Sequence, residues 1–268
     1  QGMNAGVRDA FNLGWKLHAV LRGQACEGLL DTYESERRPH VKAMIREAVR
    51  IKNLVSLQSR SAAWLRNLTL RGILRLPVLG RMFTRGELIP KPVYAQGSYF
   101  GLPRRWRRPE GTLIPQPPVR GPDGRRHRFD DCIGAGFFML GIGVDPRAHL
   151  SASDKSWCGR LGMRLATLYA WGERPQGAIA PVWSEDWLEL EDVTGQWHDW
   201  LRKRRVDSGN VLVVRPDRFV FAAVPATELG TALDALRAQL GASDRQPAAT
   251  EQPVSHTHGT PLQTLESA

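Results

Sequence analysis

The sequence has few cysteines, no long apolar run and no cluster of metal ligands. Its three cysteines, Cys26, Cys132 and Cys158, are odd in number, far apart and not in a metal-binding spacing. They predict reduced, packed thiols in a cytoplasmic protein rather than a disulfide framework. No stretch approaches the roughly 18 uninterrupted apolar residues that a transmembrane helix needs, so no membrane span is predicted.

The chain also lacks a starting methionine and a basic-then-apolar leader. Its first residue is Gln1, and a helical pattern begins almost at once. We therefore expect the sequence to be the C-terminal part of a longer protein.

Acidic residues are scarce in the first third of the chain. Residues 1–90 hold 15 Lys/Arg and 7 Asp/Glu, whereas the remainder holds 22 and 20, so most of the net charge of +10 lies in the N-terminal part. Spread over helix faces, this charge is typical of a solvated surface. No aromatic-basic motif accompanies it, so nucleic-acid binding is the less favoured hypothesis. Steering of anionic substrates and cofactors is a weaker alternative.

Apolar residues at three- and four-residue steps predict that residues 1–90 are helical. The first helix, residues 4–22, has Asn4 as its N-cap and Gly23 just past its end. The residues expected on its buried face are Val7, Ala10, Phe11, Gly14, Leu17 and Leu21.

Further helices are predicted over 28–38, 40–60 and 62–76, with Pro39 at the start of the second of these. In the 40–60 helix the residues expected to face inward are Val41, Met44, Ile45, Ala48, Ile51 and Val55.

The C-terminal half changes character. A proline-rich crossing segment, 91–124, separates the helical part from residues 125–240. There, strands predicted at 137–143, 164–170 and 187–193, and two strands over 211–224 around a turn at Pro216-Asp217, alternate with helices at 152–165, 195–205 and 227–240. The prediction is an α/β fold class (α+β overall), followed by a disordered tail over 241–268.

Four segments resemble the FAD-dependent aromatic hydroxylases, a family of flavoprotein monooxygenases. They are QGMNAGVRDAFNLGWKLHAVL at the start, LLDTYESERRPHVKAMI over 29–45, PQPPVRGPDGRRHRFDDCIGAGFFMLGIG over 115–143 and VVRPDRFVFAAVPATELG over 213–230. The subgroup they resemble most acts on 3-(3-hydroxyphenyl)propionate. The last two segments resemble the family's thioredoxin-like C-terminal domain.

The resemblance implies a helix start that faces a flavin. Gln1, Gly2, Met3 and Asn4 are similar to the end of the family's FAD-binding motif, and the helix after them directs its positive end at the anionic ring edge. The implied parent uses FAD and NAD(P)H to place one oxygen atom of O2 on a phenolic acid, ortho to the existing hydroxyl. The Gly-x-Gly-x-x-Gly turn is absent, so a missing N-terminal FAD-binding segment would complete the site. No catalytic residue is expected here, and this chain alone is expected to be inactive.

Simpler interpretations stand beside this one. Arg37 and Arg38 are predicted to form surface ion pairs with Glu34 or Glu36. His18 is expected on the buried edge of the first helix, and His40 near the surface. No Cys-x-x-Cys pair exists, so the thioredoxin-like domain is expected to be non-redox and to serve structure or subunit contacts, with a homo-oligomer left open. A non-enzymatic interaction module is the alternative function.

Overall fold

In the computed structural model, residues 2–57, 59–75, 93–94, 96–101, 108–175 and 187–241 are described. The helices are α1 Gly2–Leu21, α2 Gly28–Val55, α3 Arg60–Arg75, α4 Phe129–Ile133, α5 Ala152–Leu161, α6 Gln196–Arg204 and α7 Leu229–Leu240. The strands are β1 Pro118–Arg120, β2 Arg126–Arg128, β3 Phe138–Ile142, β4 Arg164–Ala170, β5 Trp187–Asp192, β6 Asn210–Val214 and β7 Val220–Pro225. Within these ranges, no helix combines the length and the apolar character needed to cross a membrane.

The strands form one mixed sheet in the order β2-β1-β5-β4-β3-β6-β7. Strands β3, β4 and β5 are parallel, and α5 makes the crossover from β3 to β4. On one side, β6 pairs antiparallel with β3 and β7 antiparallel with β6. On the other side, β1 pairs antiparallel with both β5 and β2. The predicted mixed α/β class is confirmed.

Both faces of the sheet are covered, because neighbouring residues of a strand point to opposite sides. In β6, Val211 and Val213 join a core with α5 and α7, whereas Leu212 and Val214 join a core with α4 and α6. Continuous apolar runs such as Phe138–Ile142 are what a strand buried on both faces requires.

Helices α1 and α2 attach to the first of these cores. Trp15 packs edge-on against Phe137 with 5.4 Å between ring centroids. The link from α1 to α2 is fixed by an amide of Cys26 that donates to the carbonyl of Leu240 at 2.7 Å. Gly23 has a φ of +66° and ends α1, as predicted.

Two predictions about α2 are wrong. The helix is continuous through Pro39, although the sequence predicted a break there. A proline in a helix interior removes one hydrogen bond and crowds the carbonyl four residues earlier, which is why it indicates a break. Here the residues on either side of Pro39 are held by tertiary contacts, since Glu36, Arg37 and His40 are all buried. The residues expected to face inward beyond Pro39 are not buried, and Ile45, Ile51 and Val55 are exposed.

The sheet begins earlier than predicted. β1 lies inside the stretch assigned to the crossing segment, because Pro118 occupies the first position of a strand, where proline is tolerated. The predicted tail, 241–268, lies outside the described residues apart from Gly241, which ends α7 with a φ of +62°.

Candidate functional site

The residues that resemble the flavin-facing motif lie at the start of α1. Gln1 lies outside the described residues, and the helix begins at Gly2. Met3 is 82% exposed, and Asn4 is exposed as well. Because α1 begins at Gly2, Asn4 lies within the first turn of the helix. The prediction that Asn4 is the N-cap is therefore wrong, since the helix begins two residues earlier than predicted.

This first turn has the properties that an anionic ring edge requires. The first amides of a helix have no partner within the helix and lie at the positive end of its dipole. The described first turn of α1 contains no acidic side chain that could compete for those amides. Because Met3 and Asn4 are exposed, the turn is open to a ligand. These residues fit the flavin edge that the resemblance implies.

The buried face of α1 contains polar as well as apolar residues, with Asn12 and Lys16 beside Trp15 and Ala19. Asn12 and Lys16, one turn apart, are 1% and 0% exposed. By contrast, Phe11 is 65% exposed and Leu21 is 85% exposed, so the prediction of the buried face is wrong. Helical periodicity alone cannot identify a polar face that is buried against charges from distant elements.

Glu36 of α2 lies at the centre of those charges. Its carboxylate accepts from both terminal nitrogens of Arg215, with Oε1–Nη1 at 2.7 Å and Oε2–Nη2 at 2.9 Å. Oε2 also accepts from Lys16 Nζ at 3.0 Å and from Asn12 Nδ2 at 2.7 Å. This two-pronged geometry is the strong form of an arginine–carboxylate pair.

Asp217 is the second carboxylate of this group, and Ser98 borders it through its backbone. Asp217 Oδ2 accepts from Arg215 Nη2 at 2.6 Å and from Asn12 Nδ2 at 3.0 Å. The backbone amide of Ser98 donates to Glu36 Oε1 at 3.0 Å. We call Asn12, Lys16, Glu36, Arg215 and Asp217 the Glu36 cluster. It holds two cations and two carboxylates, so its charges balance within a buried space.

The Glu36 cluster shifts the pKa values of Glu36 and Lys16 by different balances of burial and charge. Burial disfavours the Glu36 carboxylate, but Arg215, with smaller effects of Lys16 and Asn12, outweighs burial and lowers the pKa of Glu36 to about 2. Burial lowers the pKa of the Lys16 ammonium to about 8, and Glu36 offsets only part of that effect. Arg215, rather than Lys16, is therefore the main partner of Glu36.

Arg37, the next residue along α2, holds the first part of α1. It pairs with Asp9 through Nε, and Nη2 donates to the carbonyl of Ala5 at 3.2 Å. Nη1 donates to the hydroxyl of Tyr94 at 3.0 Å. The prediction that Arg37 forms a surface pair is wrong, since its side chain is 3% exposed. The same prediction for Arg38 is confirmed, because it pairs with Glu34 in the solvent.

Both histidine predictions in this region are wrong. His18 is exposed, because the buried face of α1 is the one that carries Trp15 and Lys16. His40 is buried beside Tyr94, where burial and the nearby Arg37 lower its pKa.

Gly97 allows the chain to pass close to Glu36. Its φ is +118°, and a Cβ built there would lie 2.2 Å from Glu36 Cγ. A residue with a side chain would have to displace the carboxylate that the Glu36 cluster surrounds. No local pattern in the sequence indicates this role, because Gly97 falls in a stretch without periodicity.

A cleft of about 1060 Å³ opens beside the exposed face of α1. Its apolar walls include Phe11, Trp15, Phe137 and Phe219, and Arg218 is among its polar residues. Arg218 is held by Asp130 at 2.7 Å. The volume is that of a ligand site, but one wall is the apolar face of α1 that no other described element covers.

All three cysteines are free thiols in the described residues. Burial raises the pKa of Cys132 to about 11 and that of Cys158 to about 12, so neither is an activated thiolate. Cys26 is free as well. In the part of the chain that the structure describes, no group of three or more potential ligands is arranged to hold a metal.

Two family models match the chain. Residues 1–48 match the FAD binding domain, and residues 111–239 match the HcaD C-terminal domain. The first match covers α1 and the part of α2 that carries Glu36 and Arg37. The second covers the whole sheet.

Curated relatives match over most of the chain. A 3-(3-hydroxy-phenyl)propionate/3-hydroxycinnamic acid hydroxylase of Mycolicibacterium smegmatis is 37% identical over 241 residues, which are 87% of this chain and 41% of the relative. A second such hydroxylase, of Burkholderia vietnamiensis, is 34% identical over 89% of this chain and 43% of the relative. The chain thus spans about two fifths of the length of these relatives.

Solved structures agree with these matches. Anhydrotetracycline hydroxylase OxyS of Streptomyces rimosus is 26% identical with a TM-score of 0.58, over 92% of this chain and 42% of that one. The flavin-dependent monooxygenase PieE shares the fold, with 20% identity and a TM-score of 0.57 over 90% of this chain and 45% of that one. Both ends of the chain match the same group of proteins. The chain belongs to the family of FAD-dependent aromatic hydroxylases.

Proposed function

We propose that this chain is the C-terminal part of a cytoplasmic FAD- and NAD(P)H-dependent monooxygenase. The parent would hydroxylate a phenolic aromatic acid, such as 3-(3-hydroxyphenyl)propionate, ortho to its hydroxyl group. The observation that carries this proposal is the match of 34–37% identity that extends from α1 to the end of the α/β region in hydroxylases named for that substrate.

The role proposed for α1 is electrostatic. Bound FAD supplies the oxygen-transfer chemistry, and the protein supplies position, charge and exclusion of water. Gln1, Gly2, Met3 and Asn4 would hold the anionic ring edge at the positive end of the helix. Gly2 has no Cβ, so the ring could approach the backbone closely.

The partner of this chain would be an N-terminal FAD-binding segment. The relatives are more than twice as long as their match to this chain. The exposed Val7, Phe11 and Leu21 form an apolar stripe on one side of α1, and contiguous exposed apolar residues are typical of an interaction surface. We propose that the FAD-binding segment covers this stripe and fills part of the adjacent cleft.

We further propose that residues 125–240 belong to a thioredoxin-like domain. The order β4-β3-β6-β7, with β3 and β4 parallel and β6 and β7 antiparallel, supports this proposal. The crossing segment would then end before β1 at Pro118 rather than at residue 124. Because burial raises the pKa of both thiols in this range, Cys132 and Cys158, the domain would serve structure or contacts in a homo-oligomer.

A chimera tests the proposal. The part of the M. smegmatis relative that precedes its match would be fused to this chain. We expect a yellow protein that binds FAD and oxidises NADH only when a phenolic acid is present, with a catechol as product. The control is this chain alone titrated with FAD, for which we expect no stable complex at micromolar concentration.

Two outcomes would contradict the proposal. A chimera that folds but binds no FAD, or oxidises NADH without forming a hydroxylated product, would remove the enzyme function. Capture of a partner through the α1 stripe by such an inactive chimera would favour the alternative, a non-enzymatic interaction module.

A further inference from the structure

Helix α1 is held along one face from its first turn to its middle. The contacted groups are the Ala5 carbonyl and the side chains of Asp9, Asn12 and Lys16, spaced four, three and four residues apart. This spacing places all of them on a single line along the helix. The contacts come from two consecutive residues of α2. Glu36 binds Asn12 and Lys16. Arg37 binds Asp9 and Ala5, which lie nearer to the start of α1.

The α/β domain holds the same line from the other side. Arg215 follows β6, and Asp217 lies in the turn before β7. This turn is fixed by its own backbone, since the Arg215 amide donates to Phe219 and the Arg218 amide donates to Arg215. Arg215 has 0% side-chain exposure, and its guanidinium lies 5.0 Å from the centre of the Trp15 ring of α1.

These contacts form a short path between the domain and the first turn. Arg215 and Asp217 bind Glu36 and Asn12, and the neighbouring Arg37 binds Asp9 and Ala5. The last of these is one residue from Asn4. A helix is rigid along its axis, so a shift at the Glu36 cluster would displace the first turn as well.

We infer that Arg215 is a positioning residue, through which the C-terminal domain sets the position of the flavin-facing helix. The inference rests on the proposed function of the first turn. It goes beyond that function by giving the C-terminal domain, which lies outside the flavin motif, a part in the flavin site. A site that must hold its groups to within a fraction of an ångström needs such a supporting layer.

Hydrogen–deuterium exchange on the complete chain tests whether the contacts of the Glu36 cluster hold α1 in place. Asn12→Ala removes the bridge between Glu36 and Asp217 and leaves the pairing of Arg215 with both carboxylates intact. We expect amide exchange across residues 5–19 to rise by about tenfold relative to the amides of β6. Arg147→Met is the matched control, because Arg147 pairs with Asp145 away from α1.

The chimera tests the link to flavin. We expect Arg215→Met to raise the dissociation constant for FAD by about tenfold and to shift the flavin absorption spectrum. Arg215→Lys keeps the charge but not the forked geometry, so it should restore part of both. The control Arg147→Met should change neither. A purely structural role would lower the yield of folded protein without shifting the spectrum of the molecules that bind FAD.

The outcomes separate this inference from the proposed function. If the unmodified chimera binds no FAD, the proposed function fails, and amide exchange in the Arg215→Met chain, compared with Arg147→Met, decides whether Arg215 positions α1. If Arg215→Met and Asn12→Ala both leave exchange in α1 unchanged, the inference is overturned. An unaltered flavin spectrum and FAD affinity in Arg215→Met would overturn it as well.

Discussion

The sheet region buries apolar side chains, whereas the first three helices bury several charged side chains and expose many apolar ones. In the sheet region the strands β3 and β6 are buried along almost their whole length and are apolar. In α1 and α2 the most deeply buried side chains include Lys16, Glu36 and Arg37. In α3 no described residue is buried, and Trp64 is 66% exposed.

This difference indicates that the sheet region is stabilised mainly by apolar packing, whereas α1 and α2 also depend on buried ion pairs. The sheet region is held mainly by apolar side chains, because helices cover both of its faces. Helices α1 and α2 join one of these cores through Trp15 and Leu29, but they are also held by a group of buried charges and present other apolar residues outward. On our proposal, the rest of the parent protein covers those residues, so the helices are one half of an interface.

The largest effect is expected from removal of the main cation. Arg215→Met would leave the buried Asp217 without its cation and Glu36 with Lys16 as its remaining cation, and we expect the free energy of unfolding to fall by about 3–5 kcal/mol. Urea unfolding of the complete chain measures this. The surface pair of Arg147 is the control, with an expected loss of about 0–1 kcal/mol for Arg147→Met. Equal losses in the two variants would contradict the distinction between buried and surface charge.

Acid should weaken the attachment of the helices. Because the pKa of Glu36 is lowered from 4.5 to about 2, its stabilisation is complete above 4.5 and is lost as the pH falls towards 2. This shift in the pKa of Glu36 corresponds to about 3 kcal/mol of folding free energy. Unfolding free energies measured from pH 6 to pH 2 should fall more steeply for the unmodified chain than for Glu36→Gln. Identical slopes would show that Glu36 is not a depressed carboxylate.

A methyl group at Gly97 should disturb the cluster without changing any charge. We expect Gly97→Ala to cost about 2 kcal/mol or more, since both its φ and the Glu36 side chain oppose the new Cβ. Gly172 has a φ of +77° with no atom within 4 Å of a built Cβ, so Gly172→Ala reports the strain alone. Thermal unfolding of both variants gives the difference. No difference would mean that the close approach to Glu36 carries no constraint.

Lys16 should matter much less than Arg215, although both are fully buried. Its ammonium already opposes burial, which lowers its pKa to about 8. Replacing such a group by an apolar residue of similar length removes a desolvation cost, so Lys16→Met should change stability by less than about 1 kcal/mol. Urea unfolding beside Arg215→Met gives the comparison. A loss as large as that of Arg215→Met would contradict the order of the two partners.

The smallest effect on this chain is expected at the exposed stripe. Phe11→Ser should change the free energy of unfolding by no more than about 0.5 kcal/mol, because Phe11 faces solvent. In the chimera the same substitution should weaken the protein clearly, since Phe11 would then be covered. Leu212→Ser, in the buried sheet, should be severe in both. A Phe11→Ser chimera as stable as its parent would argue against a covered stripe.

Much of the α/β region could be predicted from the sequence. Runs such as 137–143 and 211–224 contain apolar residues in the lengths of buried strands, and Pro216 with Asp217 indicated the turn between β6 and β7. These are local signals, and the structure confirms them. The longer helices were also predicted, apart from the continuation of α2 through Pro39, whereas the five-residue α4 was not.

The faces of the helices could not be predicted, for a physical reason. Asn12 and Lys16 are buried only because Glu36, Arg215 and Asp217 meet them, and the last two lie about 200 positions away in the chain. Periodicity identifies an apolar face and assumes that it is the buried one. That assumption holds when a chain contains all the surfaces that its helices contact.

Oxidative footprinting of the two faces of α1 tests the account most directly. Hydroxyl radicals would be applied to this chain and to the FAD-loaded chimera, with modification of Met3, Phe11 and Trp15 followed by mass spectrometry. We predict that Met3 and Phe11 are oxidised in the chain and protected in the chimera, whereas Trp15 is protected in both. Equal oxidation of Met3 and Phe11 in the two proteins, or exposure of Trp15 in the chain, would contradict it.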